Sequence, residues 1–165
     1  MAVITYNDRL RQLLANVECV LAFDTAADFL GLTNGGYRTA AQIFVNKKQD
    51  IGGTEQILVP SLEALEYEER NGLRCTTVNQ TIVDLLEQNG DEQIITESLA
   101  NFYDEHQESF DGLEIPEHLQ SGKTTHRRLS EWPEILTGTG LESFRQWEKW
   151  SGISITCGMH NFRLL

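Results

Sequence analysis

The side chains here with acid–base, nucleophilic or metal-binding capacity are four histidines, three cysteines and 25 acidic residues. His106, His118, His126 and His160 are scattered. His118 lies near Glu114 and Glu117, and His106 near Asp104 and Glu105. Neither group has the His-Glu-x-x-His or Cys/His-finger spacing that brings ligands onto one side of a metal. Cys19, Cys75 and Cys157 are far apart and odd in number, which fits reduced thiols rather than a disulfide framework or a zinc site. A reactive thiol needs an electropositive setting and a nearby base. Cys75 follows Arg74, but it stands at a strand–helix junction where packing is the expectation. No serine lies in Gly-x-Ser-x-Gly. Carboxylates cluster as Glu66, Glu68 and Glu69 and as Asp91 and Glu92, yet acid–base catalysis needs one carboxyl in a dry pocket. A nuclease-like Asp…Glu-x-Lys pattern is missing. Gly35-Gly36 and Gly52-Gly53 fall outside the phosphate-cradling patterns and read as turn glycines. The expectation is a non-catalytic chain without cofactor or metal. Its rival is an enzyme using carboxylates in a cleft, with or without a divalent metal.

Charge is more informative. The net charge is −12, and between Arg74 and Lys123 there is no lysine or arginine. Asp84, Glu87, Asp91, Glu92, Glu97, Asp104, Glu105, Glu108, Asp111, Glu114 and Glu117 all fall in that gap. Nucleic-acid affinity comes largely from Lys and Arg displacing counterions, so direct DNA binding is not expected. The acidic stretch is either a solvated face that keeps the chain soluble or a docking surface for a basic partner. Lys123, His126, Arg127 and Arg128 form the one basic cluster and read as a solvated loop. Trp147 sits on an apolar helix stripe. Trp132, before Pro133 in a polar stretch, reads as an exposed anchor of the kind enriched in interfaces.

These residues need a scaffold. A chain of 165 residues with 40% hydrophobic content is expected to form one domain with its own core. No run of about 18 apolar residues predicts a membrane span. Residues 1–16 carry charges among their leucines and lack a secretory h-region, so a cytoplasmic location is expected. Tyr6, Leu10, Leu13, Leu14 and Val17 share one helix face, with Asn7 or Asp8 as caps. Asp24 is expected to cap a helix over 25–32. Ala41–Val45 and Gln56–Val59 read as strands, paired as a hairpin across Ile51-Gly52-Gly53. Ser61–Glu69 fits no period cleanly. Strand 73–76 leads into a helix starting at Val78, capped by Thr76 or Thr77 and stopped by Asn89-Gly90. A further helix covers Asp91–His106. Residues 109–133 are loop-rich, with at most a short helix. Residues 140–165 hold a helix, Leu141–Trp150, and a final strand near 153–158. The expected fold is α/β, with α+β as the alternative: a small mixed sheet covered by four to five helices in a single domain, 1–165.

Two segments resemble the antitoxin (regulatory) domain of AbiE-type toxin–antitoxin pairs. One is Val20-Leu-Ala-Phe-Asp-Thr-Ala-Ala-Asp-Phe-Leu-Gly-Leu32, a polar residue before an Ala-rich helix that ends in Gly-Leu. The other is Gly72-Leu-Arg-Cys-Thr-Thr-Val-Asn-Gln-Thr-Ile-Val-Asp-Leu-Leu86, similar to a short strand, a Thr-containing turn and a helix with Arg-Thr-Leu-x-Asp-Leu-Leu. The resemblance spans an antitoxin-like core at 18–106. It implies a protein that neutralises a nucleotidyltransferase-like toxin, often without a stable complex. Thr77, Thr81 and Asp84 match the motif, and Gln80 stands where the family has an arginine. The family's N-terminal winged helix has no counterpart in the single helix before residue 18, so autonomous promoter binding is not expected. Thr77, Thr81, Asp84 and Trp132 are the candidate partner contacts. For the first three, helix capping and orientation of the helix start is the competing role.

Overall fold

The computed structural model describes residues 5–33, 39–88, 91–107 and 109–120. Its elements are α1 (Tyr6–Leu14), β1 (Val20–Leu21), α2 (Phe23–Leu30), β2 (Ala41–Val45), β3 (Thr54–Leu58), a 3₁₀ turn (Leu62–Ala64), β4 (Tyr67–Arg70), β5 (Leu73–Thr76), α3 (Val78–Gln88), α4 (Glu92–Glu105) and the short α5 (Glu117–Gln120). The strands form one mixed sheet in the order β3-β2-β1-β5-β4. The fold is α/β, as the alternation of strand and helix patterns implies. The helix expected at Leu141–Trp150, the strand near 153–158 and Trp132 lie outside the described residues.

The helix α1 starts at Tyr6, the first residue of its apolar stripe, but its cap is not the expected one. Thr5, not Asn7 or Asp8, is the cap. Its hydroxyl accepts the Asp8 N–H at 3.2 Å while Asp8 Oδ2 accepts the Thr5 N–H at 2.9 Å, a reciprocal capping box. Leu10 and Leu14 are buried and the helix stops at Leu14.

The sheet is covered on both faces, which removes the in–out alternation from its central strands. Ala41, Ile43 and Val45 share one face with Leu21 and Cys75, beneath Leu10 and Leu14 of α1 and Ala26 and Phe29 of α2. On the other face Phe44 and Val20 pack against Leu62. β1 has two residues, pairing antiparallel with β2 and parallel with β5.

The β2–β3 pair corrects the expected hairpin. It is parallel, in register from Ala41↔Thr54 to Val45↔Leu58. Parallel neighbours usually need a crossover of a dozen or more residues, and here residues 46–53 suffice. The return is held by side chains. The Gln56 amide donates to the Gln49 carbonyl at 2.7 Å and its Oε1 accepts the Gln49 N–H at 2.9 Å, imitating a ladder rung. Thr54 donates to the Ile51 carbonyl at 2.8 Å.

At the other edge, β4 and β5 are antiparallel, joined by Asn71 (φ 49°) and Gly72 (φ 75°). Two left-handed residues are what a type I′ hairpin turn requires, and Asn-Gly is its favoured pair. Glu68, Glu69 and Arg70 place charge on this edge strand, which discourages pairing with another chain. From β5 the chain passes directly into α3, which packs against both α2 and α4.

Candidate functional site

The motif threonines lie at the β5–α3 junction. Thr76 ends β5 fully buried, its hydroxyl 2.7 Å from that of Thr81. The Thr81 hydroxyl also donates to the Thr76 carbonyl at 3.3 Å. Thr77 is the helix cap: its Oγ1 accepts the Gln80 N–H at 3.2 Å, and its carbonyl accepts the Thr81 N–H at 2.8 Å. Its own N–H donates to the Glu66 carbonyl at 3.0 Å, tying the junction to the loop before β4. Thr77 therefore orients the start of α3, and Thr81, at 0% exposure, locks strand to helix. Both hydroxyls are committed inside the fold.

One turn further on, Asp84 is buried at 8% exposure. Gln80 Nε2 donates to its Oδ1 at 2.6 Å, while Oδ2 has no hydrogen bond. Burial pushes this carboxyl up to about 6, with the nearby Glu87 adding to the rise and the Gln80 amide opposing it. An arginine at position 80 would supply a compensating charge. The neutral amide of Gln80 supplies a hydrogen bond only.

The outward face of α3 has a different task. Asn79 grips the segment after α4: its Oδ1 accepts the Glu114 N–H at 2.7 Å and its Nδ2 donates to the Glu114 carbonyl at 3.2 Å. Ile115 is buried behind this clasp. His118 Nε2 lies 3.0 Å from Glu87 Oε1. Around these contacts Glu87, Asp91, Asp104, Glu105, Asp111, Glu114 and Glu117 are exposed. Among the described residues beyond Arg74, only His106 and His118 can answer them with positive charge. Asp91 spends its charge locally, capping α4 by accepting the Gln93 N–H at 2.9 Å.

The two cysteines among the described residues are packed into the core. Cys19 and Cys75 are buried, and burial pushes both thiols up to about 11, far from the thiolate a nucleophile needs. Among the described residues no three His, Cys, Asp or Glu side chains group as metal ligands. Asp24 does not cap α2. Ala22 holds the cap position without a side-chain bond, and Asp24 lies inside the first turn.

The cap comes from β2. Gln42, at 2% exposure, accepts the Asp24 N–H on its Oε1 at 3.2 Å, and its backbone N–H donates to the Thr25 hydroxyl at 2.8 Å. Its Nε2 donates to Glu55 Oε2 at 3.1 Å. The turn that this arrangement holds contains a strained residue, Phe23, at φ 48°. The left-handed region disfavours a bulky side chain, and here the Phe23 ring packs against Phe44 with centroids 5.3 Å apart. No sequence pattern had marked Gln42, because its partners lie 13, 17 and 18 residues away.

No helix among the described residues is long and apolar enough to cross a membrane. Comparison with known proteins adds no neighbour: no family model, curated protein or solved structure matches the chain.

Proposed function

We propose that this chain is a non-catalytic, antitoxin-like regulatory protein of the cytoplasm. It acts by docking a basic partner on the acidic surface of α3, α4 and the segment that follows. The observation that carries the reading is the division of labour along α3. Thr77 and Thr81 are spent on the junction, whereas Glu87, Asp91, Asp104, Glu105, Asp111, Glu114 and Glu117 are exposed, and the described residues beyond Arg74 include no lysine or arginine. Like charges crowded on one surface repel one another, and a cationic partner relieves that repulsion while steering its own approach. The resemblance of residues 18–106 to AbiE-type antitoxin domains names the partner class: a nucleotidyltransferase-like toxin. On this reading Thr77 and Thr81 support the contact surface from within, and Asp84 and Trp132 remain candidates for touching the partner.

The test is rescue of growth. A nucleotidyltransferase-like toxin encoded beside this chain is induced with and without it. Rescue by the wild type, and its loss in an Asp104→Lys, Glu105→Lys, Asp111→Lys variant that keeps its helical spectrum, is the expected result. Rescue that survives the charge reversal sinks the acidic surface as the contact. A second reading rests on the same acids: a module that docks a basic protein outside any toxin pair. It predicts a stoichiometric partner in a pull-down that leaves as salt rises past physiological strength, where screening shortens to about 8 Å or less.

A further inference from the structure

The two outer strands of the sheet present different edges. β4 carries Glu68, Glu69 and Arg70 in its four residues, whereas β3 has one charged residue, Glu55. Leu58, at the end of β3, is 59% exposed. We infer that β3 is a docking edge for a second copy of this chain, the two strands pairing antiparallel about a twofold axis.

The direction of the β3 main chain follows from its ladder with β2. The Ala41 N–H donates to the Gly53 carbonyl at 2.8 Å, and the Val59 N–H donates to the Val45 carbonyl at 2.9 Å. Along a strand the main-chain groups alternate in direction, so the odd-numbered residues from 53 to 59 face β2. Thr54, Gln56 and Leu58 turn their N–H and carbonyl groups outward, and among the described residues nothing pairs with those groups. Such a row is a template for another strand. Pro60, at the next outward position, has no N–H and ends the row. A twofold axis centred on Gln56 sets Gln56 opposite its own copy and Thr54 opposite the partner's Leu58. Each such pair exchanges two main-chain bonds. Moving the axis toward Leu58 brings Pro60 into the ladder.

Charge agrees with the antiparallel sense. Lys47 and Lys48 follow the end of β2 that lies beside Leu58. Asp50 and Glu55 lie toward Thr54, since Gln49 and Ile51, on either side of Asp50, bond Gln56 and Thr54. All four charged residues are exposed. Reversing one strand lays the lysines of each copy toward the acids of the other. Glu55 then meets the partner's Ile57 rather than a second carboxylate. A second copy satisfies both ends at once, as an isologous interface requires.

The experiment follows amide hydrogen exchange of the full chain by NMR as concentration rises, alongside sedimentation. The Gln56 and Leu58 amides are expected to exchange fast in dilute solution. They gain protection as dimer forms, between about 10 µM and 1 mM chain. Leu58→Glu adds a carboxylate beside the partner's acids at both ends, and is expected to weaken the dimer at least about fivefold. It alters an exposed side chain, and unchanged exchange at Glu55 and Ile57, whose amides face β2, would show that the fold survives. A chain that stays monomeric throughout that range, a dimer that leaves Gln56 and Leu58 unprotected, or an unweakened dimer in Leu58→Glu would overturn the assignment. Protection of both amides at every dilution would overturn it too, because the edge would then be covered within a single chain.

Discussion

Gln42 and Asp84 are both buried polar side chains, one in the middle of the sheet and the other on α3, and they are served very differently. Every polar group of Gln42 has a partner: main-chain N–H to Thr25, carbonyl to the Ala22 N–H, Oε1 to the Asp24 N–H and Nε2 to Glu55. Asp84 has one good bond, from Gln80, and an Oδ2 with none. A satisfied buried amide welds elements together, because each lost bond would orphan a group that water cannot reach. A half-satisfied buried carboxylate does the reverse when ionised, since one amide bond repays only part of its desolvation. The sheet centre is therefore built for rigidity, and α3 carries a stored cost beside its acidic surface.

The largest effect should come from Gln42→Ala. It removes the bond from the Asp24 N–H to Gln42 Oε1 at the start of α2 and takes a side chain of 2% exposure out of the interior. A loss of about 3 kcal/mol in a denaturant melt is expected, combining an unsatisfied buried donor with a cavity term. A loss under about 1 kcal/mol would mean that water or relaxation serves these groups, and the contrast with Asp84 would fail.

Asp84→Asn should move the other way. The carboxyl titrates near 6 when folded, against an ordinary 3.8. Below about pH 3 both states hold the proton and Asp84 costs almost nothing. As pH rises toward 6, the unfolded chain releases it first, so native stability falls, and above 6 the cost is complete. Asn keeps the bond from Gln80 without the charge. It should stabilise by roughly 2 kcal/mol at pH 7.5, an advantage that vanishes by about pH 3. Urea melts at the two pH values decide it, and destabilisation at pH 7.5 would reveal a charge partner for Oδ2.

Much of this fold was legible in the sequence, and the misses share a cause. The stripes Leu10–Leu14, Ile82–Leu86 and Ile95–Phe102 marked α1, α3 and α4, because a one-sided helix prints its burial as a period. Strand β1 is two residues long and β4 reads Tyr-Glu-Glu-Arg, so neither holds a period. Asn71-Gly72 was the available signal for the β4–β5 hairpin. The β2–β3 direction was not readable, since Gly52-Gly53 serves a hairpin or a return equally well and the deciding contact is Gln56 to Gln49. In the motif, the capping role of Thr77 follows from its place before Val78. The burial of Asp84 does not, because it depends on how α2 and α4 close over α3.

Thr81→Val tests the junction at a middling magnitude. Valine keeps the shape but removes the 2.7 Å contact with Thr76, whose hydroxyl is left with only a long 3.5 Å approach to the Leu21 carbonyl. A loss of about 1–2 kcal/mol is expected at every pH. Retention of toxin rescue by the folded variant would fit a residue that supports the surface from within, and loss of rescue at unchanged stability would make Thr81 a contact after all.

Glu87→Gln should change stability least and discriminate most. Glu87 stands three residues beyond Asp84 and adds to the rise of its carboxyl, but burial is the larger cause. The substitution also breaks the exposed contact with His118, a pair whose median worth is about 0–1 kcal/mol. The two consequences oppose each other, so the net change at pH 7.5 should stay within about 0.5 kcal/mol. The informative readout is the Asp84 carboxyl carbon followed by NMR against pH. If burial governs, its titration remains well above the ordinary range in Glu87→Gln and moves down only slightly. A return to the ordinary carboxylate range would make Asp84 a product of surface repulsion, and its cost would belong to the same acidic face that the partner is proposed to neutralise.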